Sequence, residues 1–193
     1  MARSSGRARA GGGHDQPVPG TAADLTPGAD PAAVARAIVL RQLTMAPRTR
    51  AQLSAAMAKR EVPDEVAEAV LDRFAEVNLV NDEEFARQWV SSRHLGRGLA
   101  RRALAYELRH RGVDDQTVQA AVDEIDDDAE LQAARDLVRR RLPSMAGDDP
   151  ARRARRIAGM LARKGYGSAT AMRALREVLD EVPDDALAEL DDD

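Results

Sequence analysis

The chain contains no cysteine and very few aromatic residues. Its 193 residues include two phenylalanines, two tyrosines and one tryptophan. The lack of cysteine excludes a disulfide framework and a thiolate metal site, and it suits a protein of a reducing compartment. With so few large rings, alanine, valine and leucine must fill any core. Combined with a charged fraction of 32%, this composition is typical of a helical protein.

Long hydrophobic runs are missing as well. No stretch approaches the ~18 apolar residues that would span a bilayer. The arginine-containing N-terminus lacks the apolar segment of a signal peptide. We therefore predict a cytoplasmic protein that does not associate with membranes. Lysine occurs only at positions 59 and 164, so arginine supplies nearly all of the positive charge.

The residue types that enzymes use for chemistry do not form a recognisable site. His14, His94 and His110 have no second ligand or nucleophile at a useful spacing. The glycines on either side of Arg97 follow no strand and lack the P-loop pattern. The aspartates at 126–128 are adjacent in sequence and do not converge on a cation, so we predict a solvated linker there. We predict no catalytic residue, no metal and no cofactor, and hence a protein that is not an enzyme.

What the chain does contain is an apolar pattern that occurs three times, 51 and then 53 residues apart. The triplets are Leu53, Met57 and Val62; Leu104, Leu108 and Val113; and Ile157, Leu161 and Tyr166. A basic pair precedes the last member of each triplet. In the second and third copies Gly112 and Gly165 lie between this pair and the last member, where the first copy has Glu61. A period of this length indicates stacked helical units, which usually offer an extended binding surface.

Capping signals divide each copy into three helices. They include Asp30-Pro31, the pair Thr49 and Gln52, Asp64, Asn81 or Asp82, Asp115, Asp149-Pro150 and Ser168. Met172, Leu175 and Leu179 are predicted to line the inner side of the last helix. Because Glu61 replaces glycine, we expect the second helix of the first copy to be capped differently.

These signals predict an all-α fold of three tandem three-helix repeats that form an elongated, curved molecule. The predicted boundaries are 1–30 for a disordered N-terminal arm, 31–80, 81–127 and 128–180 for the repeats, and 181–193 for an acidic C-terminal tail with one short helix around 186–190.

Charge alternates along the chain in step with the repeats. Residues 91–111 contain six arginines against Glu107, whereas residues 112–136 contain nine acids against Arg135. The net charge of −4 therefore conceals basic and acidic stripes. A basic strip that recurs in register can follow a phosphate backbone or an acidic protein surface. The acidic stripes, with Tyr106 as the one ring expected to be exposed, argue against a simple high-affinity DNA-binding protein.

We expect the partner-binding residues to be the cations on and around the second helix of each repeat. They are Arg48, Arg50, Arg93, Arg97, Arg101, Arg102, Arg109, Arg111, Arg152, Arg153, Arg155, Arg156, Arg163 and Lys164. For any single arginine the alternative is a solvated helix face that the neighbouring acidic helices balance.

Several segments resemble one protein family. Residues 79–86 have the sequence LVNDEEFA, and Trp89 and Arg93 follow. Residues 98–102 are GLARR, residues 111–113 are RGV, and residues 47–51 are PRTRA. These segments resemble the RecX family, the bacterial regulators of the RecA recombinase. The similarity extends over about residues 34–180.

The resemblance implies a protein that binds RecA and its nucleoprotein filament. It implies modulation, mostly inhibition, of filament growth, ATP hydrolysis and strand exchange in recombination, DNA repair and the SOS response. It also implies some affinity for single- or double-stranded DNA and no catalytic residue, and we expect a monomer. Two alternatives stay open from the residues themselves. One is a DNA-binding helical-repeat protein that acts independently of RecA, and the other is a helical scaffold for a different acidic partner.

Overall fold

The computed structural model describes residues 30–180, and all regular secondary structure within them is helical. The α-helices are α1 Pro31–Met45, α2 Arg50–Ala58, α3 Asp64–Glu76, α4 Asp82–Arg97, α5 Arg101–His110, α6 Asp115–Asp123, α7 Asp127–Arg141, α8 Pro150–Arg163 and α9 Ser168–Asp180. A 3-10 turn, Leu142–Met145, follows α7. Apart from Asp30, the predicted arm and the predicted tail with its short helix lie outside the described residues.

The helices form three consecutive units: repeat 1 (α1–α3), repeat 2 (α4–α6) and repeat 3 (α7–α9). Each repeat has its own core, and the apolar triplets of the sequence pattern lie at the centre of each core. Leu53, Leu104 and Ile157, the first members of the triplets, are all completely buried. The predicted fold of three tandem three-helix repeats is thus confirmed.

Most of the predicted caps are confirmed. The Asp30 carboxylate accepts a hydrogen bond from the N–H of Ala32 at 3.1 Å, and Pro31 begins α1. Thr49 and Gln52 form a reciprocal capping box at the start of α2. Asp149 caps α8, and Pro150 begins that helix. These contacts occur within three residues of sequence, so the local pattern determines them.

Several details of the predicted helices are wrong. Ser168, predicted as a cap, is instead the first residue of α9. Asp64 is the first residue of α3, whose N-cap Pro63 makes no side-chain capping bond. Asp114, not Asp115, caps α6, because its carboxylate accepts from the N–H of Thr117 at 2.9 Å. The predicted linker at 126–128 is instead the start of α7, which Asp126 caps. Met172 is 51% exposed, and Ala171, Ala174, Leu175 and Val178 line the inner side of α9.

The middle helices of the three repeats meet end to end. At the C-terminal end of α5, the carbonyl of Arg111 accepts from the Thr49 hydroxyl, the N-cap of α2, at 2.7 Å. At the C-terminal end of α8, the carbonyl of Lys164 accepts from the N–H of Ala100, the N-cap of α5, at 2.9 Å. The negative end of one helix dipole therefore meets the positive end of the next, which is a favourable arrangement.

A carboxylate from the following repeat completes each junction. Asp82 of α4 accepts from the backbone N–H of Arg50 at 2.8 Å, and Glu130 of α7 accepts from that of Arg101 at 2.9 Å. The first N–H groups of a helix have no partner within the helix, so these contacts satisfy donors that the junction would otherwise bury. The Tyr166 hydroxyl adds a further bond between repeats 2 and 3 by donating to the carbonyl of Gly98 at 3.1 Å.

Glycine ends α5 and α8 because each junction leaves no room for a side chain. Gly112 and Gly165 have φ values of +80° and +93°. A Cβ atom at Gly165 would lie 2.6 Å from the backbone nitrogen of Ala103, and one at Gly112 would collide with Cβ of Ala51. Both the left-handed backbone and the close approach of the next helix therefore require glycine.

Glu61 occupies the equivalent position after α2, and the expectation of a different cap there is wrong. Glu61 has a φ of +56°, and its N–H donates to the carbonyl of Ala58 at 3.0 Å. The same bond is made by Gly112 to Arg109. Glu61 is exposed, and no further helical unit packs against it within residues 30–180. A side chain is therefore tolerated there, and only the left-handed strain remains.

Candidate partner-binding face

The structure separates the predicted binding cations into neutralised and unneutralised groups. Those held by carboxylates or backbone carbonyls are Arg50, Arg101, Arg109, Arg152, Arg153 and Arg156. Arg109, for example, contacts Asp115 at 2.6 Å. Arg102, Arg155 and Arg163 are exposed and form no ion pair within the described part of the chain. Tyr106, beside Arg102, is 71% exposed, as predicted.

Arg101 is a junction residue. Its guanidinium contacts Asp127 and Glu130, while its N–H donates to the same Glu130 carboxylate. The hydrogen bond with Glu130 raises the pKa of Arg101, although burial opposes it. The Glu130 side chain is only 10% exposed, so it depends on this arginine for its counter-charge.

We therefore expect Arg101→Glu to lower the free energy of unfolding by about 2 kcal/mol, because a nearly buried carboxylate would lose its cation and face a second anion. Arg102→Glu is the matched control, since Arg102 lies one residue further along α5 without an ion pair in the described structure. A change within about 0.5 kcal/mol is expected there. Urea unfolding followed by circular dichroism measures both, and equal losses would contradict the junction role of Arg101.

Trp89 lies at the centre of a cluster of unneutralised arginines between repeats 1 and 2. The guanidinium carbons of Arg93 and Arg111 lie 4.2 and 3.7 Å from the centroid of its ring. The indole Nε1 donates to Glu107 at 2.8 Å, and the Phe85 ring stacks at a centroid distance of 5.8 Å. Cation–π contacts of this kind hold guanidinium groups in place without neutralising them.

Burial lowers the pKa of Arg111, and the charges of Arg93 and Arg48 lower it further against the opposing effect of Glu107. The Nε atoms of Arg48 and Arg111 are buried and have no hydrogen-bond partner among the described residues. A buried donor without an acceptor costs about 1–3 kcal/mol. Within residues 30–180, these two Nε–H donors therefore have no acceptor.

A basic groove extends this cluster over repeat 1. It lies between α1 and α2, has a volume of about 440 Å³ and is lined by Ile38, Arg41, Gln42, Arg48, Gln52, Ala55, Ala56, Lys59 and Arg60. No acidic residue is among these. Arg48 lines the groove, and its charge lowers the pKa of Arg111 in the cluster around Trp89, so the two features are neighbours.

A second cationic cluster lies between repeats 2 and 3. The Lys164 ammonium donates to the carbonyl of Arg97 at 2.5 Å. Burial lowers the pKa of Lys164, and the charges of Arg140 and Arg97 add to this effect. Arg97 lies one turn beyond Arg93 on α4, which links this cluster to the one around Trp89.

These connected cations form what we call the basic face. It consists of Arg48, Lys59, Arg60, Arg93, Arg97, Arg111, Arg140 and Lys164. Five of the eight are among the residues predicted from the sequence, and Lys59, Arg60 and Arg140 are not. The repeat register contained a signal for Arg60, because it occupies the position of Arg111 and Lys164 in the repeating pattern.

Acidic side chains concentrate elsewhere on repeat 2. A groove between α4 and α6 is lined by Glu83, Asp114 and Glu124, with Arg87 as its one cation. The charge stripes of the sequence thus become separate basic and acidic surfaces on the described part of the molecule. Residues 30–180 contain neither a group of side chains suited to hold a metal ion nor a helix able to cross a membrane.

Three end-to-end helical units with a continuous basic face define a tandem helical-repeat protein. Comparison with known proteins identifies the particular family. The first, second and third three-helix domains of RecX match residues 35–74, 81–122 and 128–175. The chain belongs to the RecX family.

Relatives and solved structures agree with this assignment. The chain is 58% identical over 172 residues to the Regulatory protein RecX of Thermobifida fusca, spanning 89% of this chain and 91% of the relative. It is 55% identical over 159 residues to that of Streptomyces coelicolor, spanning 82% and 85%. The crystal structure of RecX from Lactobacillus salivarius superposes with a TM-score of 0.73 at 17% identity, over 80% of this chain and 99% of that one. At this low identity the structural likeness shows the fold alone.

Proposed function

We propose that this protein is a non-enzymatic regulator that binds RecA and its nucleoprotein filament in the cytoplasm. Binding modulates, and mostly inhibits, filament growth, ATP hydrolysis and strand exchange in recombination, DNA repair and the SOS response. Membership of the RecX family, with relatives named Regulatory protein RecX, supports the choice of partner. The observation that carries the proposal is the basic face, which continues across all three repeats.

A continuous cationic surface suits a partner that is itself long and repetitive. Each repeat adds one unit of surface, and contacts spread over several units give affinity without a deep pocket. None of the eight cations of the basic face forms an ion pair within residues 30–180, so they attract an acidic or phosphate-bearing surface over a range set by ionic strength. We expect one monomer to contact several successive subunits of a filament.

The RecA ATPase that depends on single-stranded DNA tests this proposal. With DNA in excess and salt held constant, we expect ATP hydrolysis to fall when far less than one copy of this protein is added per RecA, because one copy on a filament affects many subunits. Competition for DNA cannot produce this result at such ratios. Inhibition that disappears as DNA is added would instead favour a DNA-binding protein that acts independently of RecA. No effect at any ratio would contradict the proposal.

A further inference from the structure

Repeat 1 has a second groove, between α1 and α3, which is separate from the basic groove between α1 and α2. Its volume is about 380 Å³. Most of its lining is apolar and comes from Ala32, Val66, Ala69, Val70 and Phe74. Ala69 is exposed, so no part of residues 30–180 covers the groove at this point. The groove therefore offers apolar surface to an occupant.

The equivalent groove of repeat 2 has a different character. The 51-residue period places Glu83 and Thr117 at the positions of Ala32 and Val66, and both line the groove between α4 and α6. The two grooves thus occupy the same place in their repeats, yet the groove of repeat 2 is polar and acidic. Packing of three helices does not by itself require an apolar lining here. The lining in repeat 1 is specific to that repeat.

The described part of the chain begins beside the groove of repeat 1. Asp30 caps α1 two residues before Ala32, and its carboxylate contacts Arg36 at 3.7 Å. Ala32 and Arg36 both line the groove. The residues that precede Asp30 therefore join α1 at one end of this groove.

The sequence just before Asp30 combines one large apolar residue with a turn signal. Residues 21–29 are TAADLTPGA, and Leu25 is the one leucine, isoleucine or aromatic residue among positions 1–29. The dipeptide Pro27-Gly28 favours a reversal of the chain between Leu25 and α1. Five residues span at most about 17 Å, which exceeds the ~6 Å of helix between Ala32 and Arg36. The segment is therefore long enough to bring Leu25 back over the groove.

Charges at the rim of the groove suit an occupant that has an acidic residue next to its apolar one. Arg36 and Arg73 are exposed at the rim, and Glu65 is the carboxylate that accompanies them. Asp24 directly precedes Leu25. The segment that is tethered to the groove therefore also has the complementary charge.

We infer that residues 21–29 fold back onto repeat 1 and that Leu25 occupies the groove between α1 and α3. The apolar area that Leu25 and the groove remove from water stabilises this docked arrangement. The last part of the segment that the sequence analysis predicts to be disordered then has a fixed position. The occupied surface lies outside the basic face, so the inference goes beyond the proposed function and does not depend on it.

Disulfide trapping in the full-length protein tests the inference, because the chain has no cysteine of its own. The test protein carries Leu25→Cys and Ala69→Cys. In a glutathione redox buffer we expect an intramolecular disulfide between these positions, measured as the loss of free thiols in a species that keeps the mass of a monomer. Docking holds the two side chains together and so raises their effective concentration.

The matched control carries Thr26→Cys with the same Ala69→Cys. Its tether to α1 is almost the same length, but successive side chains of an extended segment point to opposite sides. We expect the disulfide to form at least ~10-fold more slowly in this protein, because the thiol at position 26 faces away from the groove.

Urea unfolding followed by circular dichroism provides a second test that needs no cysteine. Leu25→Ala should lower the urea midpoint by about 0.5 M, because the docked state loses part of its buried apolar area. Val18→Ala, which shortens another apolar side chain before residue 30, should leave the midpoint unchanged.

Three results would overturn the inference. Equal trapping rates for the Leu25→Cys and Thr26→Cys proteins would mean that the tether alone brings the segment near α3. A disulfide that forms between molecules, at a rate that rises with protein concentration, would assign the groove to a second copy of the chain. Equal urea midpoints for Leu25→Ala and the unaltered protein would mean that Leu25 buries no apolar area in the folded state.

Discussion

Replacing Gly165 by alanine is expected to lower the free energy of unfolding by about 3 kcal/mol. The left-handed backbone at this position costs any residue with a Cβ about 1–2 kcal/mol. Overpacking adds about 1–3 kcal/mol, because the new Cβ would lie 2.6 Å from the backbone nitrogen of Ala103. That nitrogen lies at the beginning of α5, so repeat 3 would have to shift against repeat 2 to relieve the collision. Urea unfolding followed by circular dichroism measures the loss.

Glu61 provides a control in which the expected change in the free energy of unfolding has the opposite sign. It has the same left-handed backbone, with a φ of +56°, but no other repeat packs against it in the described part of the chain. Glu61→Gly should therefore raise the free energy of unfolding by about 1 kcal/mol, since only strain is removed. Left-handed strain alone predicts these opposite signs, so the size of the two changes decides. A loss at Gly165→Ala no larger than the gain at Glu61→Gly would contradict the explanation that the junctions, and not the turn alone, require glycine.

Gly112 allows the strain and the collision to be separated. Its added Cβ would meet the Cβ of Ala51, while Cα of Ala51 is 3.8 Å away. Combining Gly112→Ala with Ala51→Gly therefore removes the collision and leaves the left-handed strain. The two changes should be strongly non-additive, as expected for residues in direct contact.

The parts of the fold that the sequence predicted are those governed by local chemistry. The apolar period located α2, α5 and α8, and the capping box at Thr49 needed only Gln52, three residues away. The cap of α6 was misplaced by one residue because Asp114 and Asp115 are adjacent and either could have capped the helix. The inner side of α9 was missed because Ala171 and Ala174 carry less hydrophobic signal than Met172.

The parts of the binding site that the sequence did not predict depend on distant contacts. Arg101 and Arg102 are neighbours of equal charge, yet only Arg101 meets Glu130, 29 residues further along the chain. Trp89 entered the sequence analysis only through the family resemblance, and nothing in the sequence indicated that Arg111 packs on its ring. Which arginines are neutralised is a property of the packed repeats, and one-dimensional charge counts cannot provide it.

Removing charge from the basic face is expected to weaken filament binding far more than removing it elsewhere. The variant carries Arg60→Gln, Arg97→Gln and Arg140→Gln, all three exposed and without an ion pair in the described structure. An exposed cation contributes about 1 kcal/mol to such an interface. Three losses therefore predict a dissociation constant raised about 100-fold at low salt.

The control variant removes the same number of charges from outside the basic face. It carries Arg73→Gln, Arg87→Gln and Arg173→Gln, whose partners are Glu76, Glu84 and Glu177 on their own helices. Because both variants change the net charge equally, long-range attraction to the filament falls by a similar amount in each. Any difference between them then reports the position of the charges and not their number.

Co-sedimentation with preformed RecA filaments on single-stranded DNA, carried out with both variants over a range of concentrations, tests the central claim most directly. The basic face predicts that the Arg60, Arg97 and Arg140 variant requires about 100-fold more protein for half-saturation. The control should stay within about 3-fold of the unaltered protein, since exposed pairs on a helix contribute little. Equal half-saturation concentrations for the two variants, with unchanged circular dichroism spectra, would contradict the assignment of this face to the filament.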